Sequence, residues 1–324
     1  MPISDALWIT APKACALAAT GYEVPAGHVE VAALYSGVSR GTESLVFHGS
    51  VPESEWQRMR CPLQEGSFAF PVKYGYASVG TVIDGPDDLR DRAVFVLHPH
   101  QRRFSAPEAM VLPLPEAVPA ERAVLAANVE TALNIVWDSR VSSGDRVVIV
   151  GAGVVGALVG WLCAQMPGTE VTLVDRNAER AALAEHLGCA FSVPDNCPTE
   201  VDVVVHASAS AAGLATCLGA AGMEARIVEA SWYGSANVSV PLGADFHSRR
   251  LSLVSSQVGQ VPADRRMRWT YRRRLEKALA LLADPRLDAL ISGETEFGDL
   301  PARYGAILAD PATLCHRISY RQDR

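Results

Sequence analysis

The chain has 324 residues, of which 49% are hydrophobic and 20% are charged. This balance is typical of a globular protein of about two domains and excludes an extended disordered chain. The net charge of −7 argues against a general nucleic-acid-binding protein, and the first ten residues lack the basic and apolar segments of a signal peptide.

Residues 1–116 are predicted to form short strands separated by turns. The segments HVEVAALYSG, YASVGTVIDG, RAVFVLHPH and EAMVLPLP are rich in β-branched or alternating apolar residues, and Gly, Pro and Asp separate them. The sequence therefore predicts a β-rich domain in its first third.

From about residue 119 the pattern changes to alternating helices and strands. PAERAVLAANVETALNIVWDS has helical periodicity, and the strand segments DRVVIVGAG, EVTLVD, VDVVVHAS, ARIVEASW and LSLVSSQVG follow, with helical segments after the first three. This alternation predicts an α/β domain with a doubly wound parallel sheet of the Rossmann type. After residue 259 the sequence predicts a basic helix over ADRRMRWTYRRRLEKALALLAD, a helix over LPARYGAILAD and a last strand, CHRISY.

One apolar run, VVIVGAGVVGALVGWLCAQM, is about as long as a bilayer-spanning helix. Its β-branched start and clustered glycines predict a strand, a turn and a helix instead, so no membrane association is expected. The seven cysteines are scattered and form no C-x-x-C pair. Because they form neither a disulfide framework nor a zinc ribbon, we expect a cytoplasmic protein with reduced thiols.

A dinucleotide-binding fingerprint stands at the centre of the chain. GAGVVG supplies Gly151, Gly153 and Gly156 in G-x-G-x-x-G spacing between a β-branched strand and a helix, and Asp175 ends the next strand about 24 residues later. Gly151 is expected to make the tight turn, Gly153 to let a pyrophosphate approach, and Gly156 to allow close helix–strand packing. The helix N-terminus supplies the partial positive charge that an anion requires.

The fingerprint also bears on the choice of cofactor. Asp175 is expected to accept hydrogen bonds from ribose hydroxyls and to repel a 2′-phosphate, which favours NAD. Arg176 beside it could instead hold that phosphate, so NADP stays an alternative. Further cofactor contacts are predicted at Val154, Val155, Arg180, Ala207 and Ser208.

The order of these parts resembles the medium-chain dehydrogenase/reductase superfamily. SGVSRGTE is similar to its C-G-x-C-x-[ST]-D segment, YGYASVG to its G-H-E-x-x-G segment, GDRVVIVGAGVVG to its coenzyme strand and VDVVVHASAS to its D-x-V-x-E-x-x-G strand. The resemblance implies a GroES-like β-rich catalytic domain over residues 1–127, a nucleotide-binding domain over 128–258, and a return to the first domain over 259–324.

The positions that match the zinc ligands of this superfamily carry other residues. Ser39, Tyr76 and Ala77 replace the cysteine, histidine and glutamate, and Ala126 occupies the last ligand position in a gapless match. These side chains cannot replace a thiolate, an imidazole and a carboxylate around zinc, and the four-cysteine structural lobe is absent. The chain therefore resembles a zinc-independent branch, and no zinc is expected.

Without zinc, the resemblance implies that a hydrogen-bond donor stabilises the substrate oxygen. Tyr76 replaces the lost histidine and is predicted to be this donor, although packing alone could also explain the residue. Ser39 is predicted to belong to the same site. Thr42 and Glu43 resemble a Thr/Ser–Asp proton-relay pair, and Arg40 matches a position that contacts the coenzyme pyrophosphate.

Three further features leave alternatives open. Glu130 or Thr131 falls where the superfamily places a residue near the nicotinamide, and Glu130 would there be a buried proton carrier or else a helix-surface residue. His98 and His100 could chelate a metal. Six arginines between residues 265 and 274 form either a solvated helix or a site for an anionic substrate or an acidic partner.

These observations favour an NAD(P)-dependent, zinc-independent oxidoreductase that acts on a small alcohol or carbonyl compound. The alternatives are an enone or quinone reductase of the same superfamily and a non-catalytic nucleotide-binding redox sensor. SGVSRGTE is also similar to the corresponding stretch of bacteriochlorophyllide dehydrogenases, which oxidise a hydroxyethyl side group. By resemblance to the superfamily, a homodimer is expected.

Overall fold

The computed structural model describes residues 1–320. The strands are β1 (Ile3–Ala11), β2 (Ala14–Gly21), β3 (His28–Ser39), β4 (Glu65–Gly66), β5 (Val72–Lys73), β6 (Ser78–Asp84), β7 (Ala93–Val96), β8 (Arg103–Pro107), β9 (Leu112–Pro113), β10 (Arg146–Val150), β11 (Glu170–Val174), β12 (Ala190–Ser192), β13 (Val201–His206), β14 (Ala221–Glu229), β15 (Ser252–Ser255), β16 (Ile291–Glu296) and β17 (Cys315–Ser319). The helices are α1 (Arg40–Phe47), α2 (Ala120–Ala123), α3 (Ala126–Ser139), α4 (Val154–Ala164), α5 (Arg180–His186), α6 (Ala211–Ala220), α7 (Asp245–Ser248), α8 (Tyr271–Leu281) and α9 (Leu300–Ala309).

The chain folds into two compact units. Unit 1 contains Met1–Ala127 and the segment that begins at Leu275, and unit 2 contains Asn128–Arg274. The chain passes from one unit to the other within α3 and again within α8.

Unit 1 is built around two sheets. One has four strands in the order β2-β1-β5-β4, and the other has the order β16-β17-β3-β6-β7-β9 with β8 beside β3. Strand β17 pairs antiparallel with β3, so that Cys315 lies opposite Ser39. The last segment of the chain thereby becomes part of the sheet that leads into α1.

Unit 2 contains a single parallel sheet in the order β12-β11-β10-β13-β14-β15. Strand β10 lies at its centre, where Val147, Val148 and Ile149 are almost fully buried. Such apolar strands are typical of parallel sheets covered on both faces. The predicted doubly wound α/β fold is confirmed, and the topological switch point lies between β10 and β13.

The long apolar run folds as β10, a glycine turn and α4, as predicted. Among residues 1–320 no helix is both long and apolar enough to cross a bilayer. Strands β1 and β2 were not among the predicted segments. The small residues of ACALAATG give β2 little strand propensity, and its pairing with β1 from Ile3 opposite Gly21 to Ala11 opposite Ala14 defines it instead.

Residues 259–274 differ from the prediction in two ways. They belong to unit 2 rather than to the C-terminal return, and α8 begins only at Tyr271, after turns. Val261 packs against Trp137 of α3, and the ring of Trp269 lies 4.8 Å from that of Trp137. These contacts hold the segment on unit 2, whereas helical periodicity alone had predicted one continuous helix.

Candidate functional site

The glycine-rich turn of unit 2 has the geometry of a nucleotide-binding turn. Gly151 has a φ of +108°, and a Cβ there would lie 2.7 Å from the backbone nitrogen of Ser208. A Cβ on Gly156 would lie 1.9 Å from the carbonyl oxygen of Gly151. At Gly153, by contrast, a Cβ would have no atom of residues 1–320 within 4 Å. Gly151 and Gly156 are therefore required by the fold itself, and Gly153 borders open space.

The N-terminus of α4 opens at this turn. Its N-cap is Gly153, and among the described residues no side chain caps it and no acidic residue occupies its first turn. Val154 is buried and Val155 is half-buried. An uncapped N-terminus next to open space suits the pyrophosphate of a dinucleotide.

Asp175 follows β11 on one side of the turn. Its carboxylate accepts hydrogen bonds from the backbone N–H of Ala152 at 2.8 Å and of Asn177 at 2.9 Å. Asp175 is half-buried, Arg176 is exposed, and Arg180 begins α5. The carboxylate thus lies at the glycine turn, as the fingerprint requires, and its contact with a ribose stays a prediction.

Ala207 and Ser208 follow β13 on the other side of the turn. The N–H of Ala207 donates to the carbonyl of Val150 at 2.8 Å, and the Ser208 hydroxyl lies 2.7 Å from Nε2 of His206. His206 and its partner Glu229 were not among the predicted site residues. The only signal for them in the sequence was a polar residue at the end of each of two apolar strands.

The predicted catalytic hydroxyls meet in unit 1. The side chains of Ser39 and Thr42 lie near the phenol of Tyr76, whose half-buried ring lies edge-on to Tyr74 at 6.0 Å. Burial raises the pKa of Tyr76, and the nearby carboxylate of Glu43 raises it further. The neighbouring side chains of Ser39 and Thr42 lower the pKa by less, so it stays above its ordinary value. The phenol therefore stays protonated at neutral pH and can donate a hydrogen bond.

Glu43 belongs to a second, fully buried cluster. Its carboxylate accepts hydrogen bonds from the backbone N–H of Ser39 at 2.7 Å and the Tyr304 hydroxyl at 2.7 Å, and it contacts Nε2 of His100 at 3.0 Å. Nδ1 of His100 lies 2.7 Å from the Ser36 hydroxyl. Glu43 and Thr42, predicted as a relay pair, thus point to different clusters. Successive residues of a helix do not face the same side.

His98 and His100 have separate surroundings. The His98 ring stacks on Phe104 with centroids 3.7 Å apart, and its Nδ1 lies 2.8 Å from the carbonyl of Pro99. Burial lowers the pKa of His98 to about 3, and the charge of Lys73 adds to this effect. Across residues 1–320 no group of three or more His, Cys, Asp and Glu side chains is arranged to hold a metal.

Glu130 is a buried residue of unit 2, not a helix-surface residue. Its carboxylate accepts a hydrogen bond from Nε of Arg274 at 3.0 Å, and Arg274 also donates to the Asn134 side chain and the Val258 carbonyl. Burial raises the pKa of Glu130 although Arg274 acts in the opposite direction. Thr131, the neighbouring candidate, is half-buried.

The other basic candidates have structural partners. Arg40 donates from Nε to the carbonyl of Leu308 at 3.1 Å, which ties α1 to α9. Of the six clustered arginines, Arg274 is fully buried, and Arg265 and Arg273 lie over tryptophan rings at 5.6 and 4.1 Å from the centroids. The cluster is therefore not a uniformly solvated helix.

The comparisons with known proteins bear on the fold. A model of the family described as ketopantoate reductase PanE/ApbA matches residues 147–218, which lie within unit 2. No curated protein sequence matches the chain.

Several solved structures match almost the whole chain. L-idonate 5-dehydrogenase from Escherichia coli K-12 has a TM-score of 0.80 at 14% identity, with 98% of each chain covered. A short chain alcohol dehydrogenase from E. coli CFT073, complexed with NADH, has a TM-score of 0.76 at 16% identity, with 98% of this chain and 99% of that chain covered. TarJ of S. aureus, in complex with NADPH, has a TM-score of 0.76 at 14% identity, with 99% and 100% covered.

Likeness at this level of identity defines the fold. The chain has the α/β fold of these dehydrogenase structures, in which a β-rich part and a Rossmann-type parallel sheet occur in one chain. The fold class predicted from the sequence is confirmed.

Proposed function

We propose that the protein is an NAD(P)-dependent, zinc-independent oxidoreductase that interconverts an alcohol and a carbonyl compound. The observation that carries this proposal is the proximity of the Ser39 and Thr42 side chains to the phenol of Tyr76 in unit 1. Ser39 and Tyr76 occupy positions that match zinc ligands in the superfamily that the sequence resembles, and hydroxyl groups are poor ligands for zinc.

The residues of the glycine turn fit a nicotinamide dinucleotide. Gly153 and the uncapped N-terminus of α4 would hold the pyrophosphate, and Asp175 would accept hydrogen bonds from ribose hydroxyls. When bound, the cofactor supplies the hydride acceptor or donor. Asp175 favours NAD over NADP, because a 2′-phosphate beside its carboxylate would be repelled.

Tyr76 would then position the substrate oxygen. Its protonated phenol donates a hydrogen bond to the carbonyl oxygen, on which negative charge develops during reduction. Ser39 and Thr42, whose side chains lie near the phenol, would restrict its orientation. The proposal also includes a cytoplasmic location and a homodimer.

The test compares Tyr76→Phe with Tyr74→Phe, which removes the hydroxyl of the neighbouring buried tyrosine. Turnover is measured with a panel of ketones, aldehydes and enones in the presence of NADH or NADPH, and cofactor affinity by fluorescence titration. We expect Tyr76→Phe to lower kcat about a hundredfold or more with unchanged NADH affinity, and Tyr74→Phe to retain activity.

Other results would overturn parts of this proposal. Full activity of Tyr76→Phe would exclude the phenol as the donor, and stoichiometric zinc in the active protein would exclude zinc independence. Reduction of enones without ketones or aldehydes would identify an enone reductase. NADH binding without turnover on any substrate would favour the redox sensor.

A further inference from the structure

A hydrogen-bonded chain of side chains ends at Ser208, on the carboxyl edge of the parallel sheet in unit 2. Nδ1 of His206 lies 2.7 Å from Oε2 of Glu229, and Nε2 lies 2.7 Å from the Ser208 hydroxyl. His206 is fully buried, whereas Ser208 is exposed. The chain of contacts thus connects a half-buried carboxylate to an exposed hydroxyl.

The positions of the protons in this chain follow from its carboxylate. Burial would raise the pKa of Glu229, but hydrogen bonds from His206, the Ser231 N–H and Tyr233 together lower it below its ordinary value. Glu229 is therefore an acceptor only, and Nδ1 of His206 carries the proton that it shares with Glu229. In the tautomer with the proton on Nδ1, Nε2 is the acceptor, so the Ser208 hydroxyl donates a hydrogen bond to it.

The oxygen of Ser208 keeps its lone pairs as acceptors, and the residue is exposed. In the structure the Ser210 hydroxyl lies 2.9 Å from the Ser208 hydroxyl and is in reach to donate to it. A Cβ on Gly213 would lie 2.1 Å from the Ser208 hydroxyl, so glycine is needed there to leave room for it. The site is therefore built to present Ser208 as a hydrogen-bond acceptor.

Ser208 also lies next to the nucleotide-binding turn. Its backbone nitrogen is 2.7 Å from the position of a Cβ on Gly151, and it follows β13, the strand on the far side of the switch point from Asp175. Dinucleotides bind across this point at the carboxyl ends of the strands. The cofactor groups that can donate to an acceptor are the ribose hydroxyls, the adenine amino group and the nicotinamide carboxamide, whereas phosphate oxygens only accept. Of these donors, the ribose hydroxyls lie nearest to the pyrophosphate that the glycine turn would hold.

We propose that Ser208 binds a ribose hydroxyl of the dinucleotide as an acceptor, and that His206 is the positioning residue that holds Ser208 in this role. This inference rests on the proposed nucleotide-binding function. It assigns the pair of buried His206 and half-buried Glu229 to cofactor recognition rather than to packing alone.

The test measures NADH affinity by fluorescence titration of four variants. Ser208→Ala removes the acceptor. His206→Asn keeps an N–H that can reach Glu229 but loses the acceptor for Ser208. Thr216→Val removes an exposed hydroxyl from α6 and is the control, because that hydroxyl bonds only to the Ala212 carbonyl in the described structure.

We expect Ser208→Ala and His206→Asn each to weaken NADH binding about 5- to 10-fold and Thr216→Val to leave it unchanged. The fourth variant, Ser208→Ala/His206→Asn, should bind no more weakly than Ser208→Ala, because both changes remove one interaction. If the double variant instead loses NADH affinity by the product of the two single-variant losses, His206 acts independently of Ser208. That result would overturn its positioning role.

A second readout does not depend on NADH. In nitrogen NMR spectra of the protein without cofactor, His206 should be the Nδ1-protonated tautomer, and Ser208→Ala should shift its Nε2 resonance. An Nε2-protonated ring would overturn the assignment of Ser208 as an acceptor.

Shorter ligands identify which ribose is bound. If ADP-ribose binds more weakly to Ser208→Ala than to the wild type while AMP binds equally to both, Ser208 contacts the ribose that carries nicotinamide in NADH. Weakening of both places Ser208 on the adenosine ribose. Unchanged NADH affinity in Ser208→Ala would overturn this inference alone, whereas no NADH binding by the wild-type protein would overturn the proposed function as well.

Discussion

Each unit pairs a buried histidine with a carboxylate, but the two pairs differ in what lies beyond the imidazole. In unit 1 the side chains of His100 and Glu43 are both at most 1% exposed, and His100 continues to the buried hydroxyls of Ser36 and Tyr320. In unit 2 the side chain of Glu229 is 16% exposed and His206 continues to the exposed Ser208.

The difference indicates that the same two residue types serve different purposes. The first pair connects α1, α9 and β3, since Tyr304 and Ser36 bond to its two ends. Both of its side chains are buried, so we expect it to act mainly on stability. The second pair ends at a hydroxyl beside the nucleotide-binding turn and can act on recognition.

The largest expected effect separates the two pairs by stability. His100→Ala should lower the free energy of unfolding by about 3–5 kcal/mol, because Glu43 is fully buried and loses one of its three partners where water cannot replace it. His206→Ala should cost about 1–3 kcal/mol, because the partly exposed Glu229 keeps Tyr233 and the Ser231 N–H. Urea unfolding followed by circular dichroism measures both, and equal losses would remove the distinction between the pairs.

A second prediction separates fold from recognition within the glycine turn. Gly156→Ala should reduce both thermal stability and NADH binding, because its Cβ would overlap the Gly151 carbonyl. Gly153→Ala should keep the melting temperature but weaken NADH binding by about 10-fold or more, since its Cβ enters only the space left for a ligand. Calorimetry and titration are the measurements. Wild-type NADH affinity in Gly153→Ala would place the nucleotide elsewhere.

A third prediction uses acid to examine unit 1, where Nδ1 of His98 contacts the carbonyl of Pro99 at 2.8 Å. The pKa of His98 is lowered from 6.5 to about 3, so protons bind to it more readily in the unfolded state. Its contribution to stability is complete above pH 6.5 and is lost progressively as the pH falls toward 3. By pH 5 the loss should be about 2 kcal/mol.

This acid effect is measured by urea unfolding at several pH values. His98→Gln should reduce the pH dependence between pH 6.5 and 5, whereas His48→Gln, at an exposed position, should not. An unchanged slope in His98→Gln would show that other groups cause the acid sensitivity.

The nucleotide turn is the part of the candidate site that could be predicted in most detail. Gly151, Gly153, Gly156 and Asp175 lie within one strand–turn–helix–strand unit, where short-range geometry determines which residues are tolerated. The proximity of Ser39 and Thr42 to Tyr76 was also predicted, but only from the resemblance to a superfamily.

The clusters around the two histidines could not be predicted. Glu43 and Tyr304 are 261 positions apart, and His206 and Glu229 are joined across neighbouring strands. The sequence by itself determined the order of strands and helices in unit 2 and the shape of the glycine turn, because periodicity and backbone freedom are local. Only the tertiary structure decided that Glu130 binds Arg274 and that residues 259–274 join unit 2. It also decided that His100 contacts a buried hydroxyl whereas His206 contacts the exposed Ser208. These features depend on the neighbours that folding brings together.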